Sequence, residues 1–97
     1  MIVKVHRTAD GRKVVAICDS DLIGKKFEEK NLQLDLSSNF YKGEEKSEED
    51  VKELVKEPCI VNVVGQKSID CLLELGIVEK ESIIKIDNVP HVQAIVG

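Results

Sequence analysis

The six residues Cys59-Ile60-Val61-Asn62-Val63-Val64 leave little choice of conformation. Five are apolar, four are β-branched, and they do not alternate with polar residues, so they predict a buried strand. Gly65 breaks the run. Ile69, Leu72 and Leu73 then recur at helical spacing as far as Gly76, a helix-terminating residue. Ile83-Ile84-Lys85-Ile86 is a second β-branched segment. The 18 residues between Val64 and Ile83 are enough for a right-handed crossover, so this region predicts a βαβ unit.

The other segments extend this pattern. Residues 2–7 and 13–18 are β-branched runs joined by Thr8-Ala9-Asp10-Gly11, which predicts an N-terminal antiparallel hairpin. Asp19 or Ser20 can cap a helix over 21–30, with Ile23 and Phe27 inward. Gly24 inside it costs about 1 kcal/mol against Ala and marks an irregularity. Leu32, Leu34 and Leu36 alternate with polar residues and predict a half-buried strand, followed by a loop over 37–46. Ser47, an acidic first turn, the stripe Val51-Leu54-Val55 and the stop at Pro58 predict a helix over 47–57. After Pro90, residues 91–96 predict a last strand at a sheet edge. The fold class is α/β with α+β character: one domain over 1–97, a mixed sheet of about five or six strands and about three helices.

With 97 residues, 42% of them hydrophobic, the chain supports one small core. Its longest apolar run, Val14 to Cys18, is far short of the roughly 20 residues of a membrane span. Charge arrives at Lys4, so the N-terminus lacks the apolar stretch of a secretion signal, and a cytoplasmic location is expected. Net charge of −4 argues against a broad basic face for duplex nucleic acid. The distribution is uneven, with seven basic and five acidic side chains in residues 1–30. A local phosphate or RNA contact is therefore compatible with that third. Cys18, Cys59 and Cys71 are odd in number, widely spaced and set among aliphatic residues, so neither zinc nor a disulfide is expected. No cofactor motif is present.

Four constellations carry chemistry. Cys18-Asp19-Ser20-Asp21 sits where a strand opens into a helix, a place that can activate a thiol. The two aspartates oppose the thiolate, and a core cysteine followed by a helix cap is the plainer reading. Asn62-Val63-Val64-Gly65-Gln66-Lys67 presents free N–H groups and a lysine to an anion, although one glycine is far short of a phosphate loop. His91 and Gln93 point the same way from a strand and can bind a polar ligand or orient a water. His6, alternating with Lys4, is assigned to an exposed strand face without a role. Phe40 and Tyr41, two of three aromatics, are adjacent in a loop, so one ring can be buried and the other presented.

In order along the chain, Cys18-Asp19-x-Asp21-Leu22-Ile23-Gly24-Lys25, Phe40-Tyr41-x-Gly43, Asn62-x-x-Gly65 and Val89-Pro90-His91-x-Gln93 resemble the archaeal family catalogued as domain of unknown function 424. Two departures are small: Asp21 stands where Glu is expected, and Val92 where Ala is usual. The resemblance implies no established activity. It implies a setting near the ribosome, since genes of this family tend to lie beside those for archaeal translation factors, including the beta subunit of initiation factor two and a ribosome export or assembly factor.

If the strands over 13–18 and 59–64 run parallel, their carboxyl ends share one edge, where open α/β sheets place ligands. Asp19, Lys25, Asn62, Lys67, His91 and Gln93 are then expected to converge on one polar site, with Asp21, Phe40, Tyr41 and Gly65 as further binding candidates. The expected function is a non-catalytic accessory protein of translation that binds a protein factor or an RNA–protein complex. A homodimer through the C-terminal edge strand is the second partner expectation. The alternative is a small enzyme acting on a nucleotide, RNA or thiol-reactive substrate, with Cys18 and His91 at its centre.

Overall fold

The computed structural model describes residues 1–97. β1 (Ile2–Arg7) and β2 (Lys13–Cys18) form the antiparallel hairpin the sequence predicts, with Val5 opposite Val15. A 3₁₀ turn at Ser20–Leu22 leads to β3 (Lys26–Glu29) and β4 (Leu32–Asp35), a separate two-stranded hairpin. The short β5 (Glu44–Glu45) pairs with the start of β1. α1 (Glu48–Leu54), β6 (Cys59–Val64), α2 (Gln66–Glu74), a second 3₁₀ turn, β7 (Ile84–Ile86) and β8 (Val89–Val96) complete the chain. The main sheet has six strands in the order β5-β1-β2-β6-β8-β7. Only the central β2–β6 pair is parallel, with Cys18 opposite Val64.

Alternation along the central strands divides the core in two. Val15, Ile17, Val61, Val63 and Val92 point to one face and pack beneath α1 and α2 through Val51, Val55, Ile69 and Leu72. Each such side chain, fully buried, stabilises the fold by roughly 1.5–3 kcal/mol. Ala16, Cys18 and Val64 point to the other face and meet Leu34, Leu36 and Tyr41 from the β3–β4 hairpin and the loop after it. The hairpin therefore supplies the second layer that apolar residues on both faces of β2 and β6 demand.

Three expectations need correction. The helix over 21–30 does not form. Gly24 takes φ +88° and its N–H donates to Leu36 O, so the chain turns away from helix and enters β3. Two α-helices result rather than three. The βαβ unit is split: β7 runs parallel to β6, but β8 lies between them, antiparallel to both. β8 is accordingly not an outermost strand, although β7 covers only its first residues, ending with Ile84 opposite His91.

The 47–57 helix closes earlier, at Leu54, and carries a reciprocal cap. Ser47 Oγ accepts from Asp50 N–H, and Asp50 accepts from Ser47 N–H. The far end of α1 receives the Lys13 ammonium, which is buried and donates to Leu54 O at 2.6 Å.

Candidate functional site

The carboxyl ends of β2 and β6 do share one edge of the sheet, and the protein's own side chains occupy it. Asp19 follows β2 directly and is buried. Its carboxylate accepts from Ser68 N–H at 2.8 Å, Ser68 Oγ–H at 2.6 Å and Lys67 N–H at 3.2 Å. These amides belong to the first turn of α2, so the anion site expected at Asn62–Lys67 is filled from within by Asp19. Gly65 makes that approach possible. It has φ +104°, and a Cβ there would lie 2.3 Å from Asp19 Cγ. Asp19 thus caps α2 across the sheet rather than the turn that follows it, where it makes no side-chain cap. Outside this contact lies a depression of about 260 Å³ lined by Met1, Asp19–Asp21 and Lys67.

A second cluster stands on the face opposite the helices. Asn62 Oδ1 accepts from Tyr41 O–H at 2.9 Å and from His91 Nε2–H at 2.9 Å. An acceptor oxygen requires the proton of His91 on Nε2. Nδ1 is then a bare acceptor, buried without a partner. Burial holds the His91 pKa below the ordinary imidazole value. Burial also pushes the Tyr41 phenol up to about 12, with the neighbouring Cys18 adding to it. Beside this cluster His6 Nε2 lies 2.9 Å from Phe40 O, and its ring stacks on Phe40 with centroids 4.7 Å apart and planes 6° from parallel. Phe40 meets Tyr41 edge-on at 5.0 Å. Tyr41 is buried and Phe40 half-buried, the division expected of adjacent loop residues.

The expected single polar site is therefore two groups. Asp19 with the backbone of Lys67 and Ser68 forms one; Tyr41, Asn62 and His91 form the other. Gly65 N–H, donating to Pro90 O at 2.9 Å, joins their frameworks. Gln93 lies opposite Asn62 on β8 and is exposed. Asp21, Lys25 and the Lys67 side chain are also exposed, Lys25 on the segment entering β3. His6 is the residue sequence reasoning missed. Its alternation with Lys4 gave its face, but the loop that would cover that face lay 34 residues away.

Cys18 is buried, and its thiol is pushed up to about 12 by burial first and then by Asp19 and Asp21. Cys18 and His91 lie on either side of Val64 in the ladder, two strand spacings or about 10 Å apart in the backbone. Cys59 and Cys71 are buried as well, and burial raises both thiols.

These features define a small α+β domain: a mixed six-stranded sheet with helices on one face and a hairpin over part of the other. The chain belongs to the family described as "Protein of unknown function (DUF424)", whose model matches residues 6–96. It is similar to an uncharacterized conserved protein from Methanopyrus kandleri known from a crystal structure, at 26% identity and a TM-score of 0.81, covering 98% of this chain and 90% of that one. No curated protein matches it. No helix is long and apolar enough to cross a membrane.

Proposed function

We propose that the chain is a non-catalytic accessory protein of the translation apparatus, acting in the cytoplasm by binding a protein factor or an RNA–protein complex. One observation carries the non-catalytic part: the polar groups at the carboxyl ends of β2 and β6 are committed to one another. Asp19 is bound to α2, and Asn62 is bound to both Tyr41 and His91. A general base or nucleophile needs a free lone pair facing substrate. His91 Nδ1 is bare but sealed from solvent, the Asp19 carboxylate is held by three donors of α2, and a thiol at about 12 is the reverse of an activated one. The translation setting is what the family resemblance implies.

Affinity capture from a lysate of the source organism, at low and high salt, tests the reading. A ribosomal fraction or a translation factor should be recovered above a mock bait. Loss at high salt identifies RNA contacts, and retention identifies a protein partner. Recovery of no translation component at either salt overturns the proposal.

A further inference from the structure

Two unused features of the molecule meet at Ile95. The first is an open strand edge. Pro90 O accepts from Gly65 N–H, so the Pro90 carbonyl faces β6. Backbone direction alternates along a strand, which turns the N–H and C=O groups of Gln93 and Ile95 away from β6. β7 ends opposite His91 and leaves those four groups without a ladder partner. From Val92 to Val96 this edge carries no charge, whereas the open part of β1 carries Lys4 and Arg7. Exposed edges are ordinarily guarded by charge, and this one is not.

The second feature is a cavity of about 400 Å³ at the other end of the sheet from Asp19, with Ile60, Ile95 and Val96 in its lining. Arg7, Arg12 and Lys13 line it too, and no acidic side chain does, on a chain of net charge −4. Arg7 and Arg12 are mostly exposed. Arg7 donates to Gly11 O at 3.4 Å and lies 3.8 Å from Glu57, and Arg12 spends one N–H on Asp10 at 3.0 Å. The Lys13 ammonium is taken up by Leu54 O and by Glu57 at 3.7 Å, which leaves the two arginines to meet a ligand. Most of their guanidinium donors are unspent. Ile95, at 82% exposure, belongs to both the edge and the cavity.

We infer that the outer edge of β8 and the basic cavity beside it form a docking site for an extended acidic peptide segment of a partner protein. The inference rests on the reading of the chain as a binding module and names the chemistry of what it binds. Backbone groups of an open edge are met by another peptide backbone, and charge complementarity selects acidic side chains alternating with apolar ones. A second copy fits less well, because its own β8 edge brings no carboxylate to the arginines. RNA fits less well, because no aromatic ring lines the cavity to stack a base.

The test is amide exchange and titration by nuclear magnetic resonance with a short synthetic peptide of alternating Val and Glu. Exchange of the Gln93 and Ile95 amides should slow on addition. Arg7→Glu with Arg12→Glu should weaken binding by about tenfold or more, the scale of lost charge-assisted contacts. Ile95→Lys should do the same while leaving the rest of the spectrum in place, since that side chain is already in solvent. Equal binding of the same peptide with Lys for Glu overturns the inference. So does concentration-dependent protection of Gln93 and Ile95 without peptide, which would assign the edge to a second copy, or a single-stranded RNA oligomer that competes for the cavity. In affinity capture, equal recovery of a translation component by wild type and Ile95→Lys would sink this site and leave the binding-module reading standing. Peptide binding with no translation component recovered would do the opposite.

Discussion

Asp19 shows how one side chain can settle what a whole motif does. A carboxylate following β2 satisfies two orphan amides and a hydroxyl at the start of α2, and the glycine that would have admitted an external anion admits this one. Asp19→Ala leaves those donors buried without partners and should cost about 2–3 kcal/mol in urea denaturation. Gly65→Ala should cost more than about 1 kcal/mol, because an L side chain is strained at φ +104° and collides with Asp19. His91 gives a pH signature. Its folded-state pKa is lowered by burial, so the unfolded chain binds the proton more readily and stability rises with pH in the window between the two values. The melting temperature should hold above about pH 6.5, the unperturbed imidazole value, and fall as pH drops below it. His91→Gln should flatten that slope, and an unchanged slope would show that His91 is not its source. The shifted carboxylates of Asp10, Asp35, Glu45 and Asp50 are lowered instead, so their contribution is lost only in more acidic solution.

At the scale of elements, β3 stands where a helix was predicted, while β4 is the strand expected over 32–36, and the reason for the difference lies in spacing. Ile23 and Phe27 are four apart, which places them on one face of a helix and equally on one face of a strand. The turn at Gly24, and the pairing of Phe27 with Leu34 in the next strand, decide between the two. The hairpin covers the second core, and two leucines on one face of β4 should respond very differently to truncation because only one reaches that core. Leu34 is buried and Leu32 is half in solvent. Leu34→Ala should cost about 2–5 kcal/mol, whereas Leu32→Ala should stay within about 0.5 kcal/mol. Similar losses at both positions, read from the same denaturation curves, would contradict a core that ends before Leu32.

Seen whole, the molecule carries an asymmetry between the two ends of its parallel strands. One end is filled by Asp19 and by the Tyr41–Asn62–His91 cluster. The other holds the basic cavity and leads to the open edge of β8. Since His91 is tied to Asn62 and Gln93 is free, substitutions at the two positions separate stability from binding. His91→Ala should lower the melting temperature measurably, because it leaves Asn62 short of a donor. Gln93→Ala should not change it. If both variants recover partners as well as the wild type does, the interaction does not use this face.

The Cys59–Val64 strand, the helix that ends at Gly76, the N-terminal hairpin and the capped 47–57 helix were legible in the chain. Each depends on contiguous signals: β-branched runs, helical periodicity, a turn, a cap and a proline stop. Strand order was not legible, because β7 and β8 have similar local patterns and only non-local pairing places β8 between β6 and β7. The candidate site was half legible. Its residues were named, but their partners were not, since Asp19 and Ser68 are separated by 49 positions and Tyr41 and Asn62 by 21. A hydrogen bond across such distances has no periodicity to announce it. It exists once the sheet has brought its strands together, and it ties the polar residues at that edge to one another.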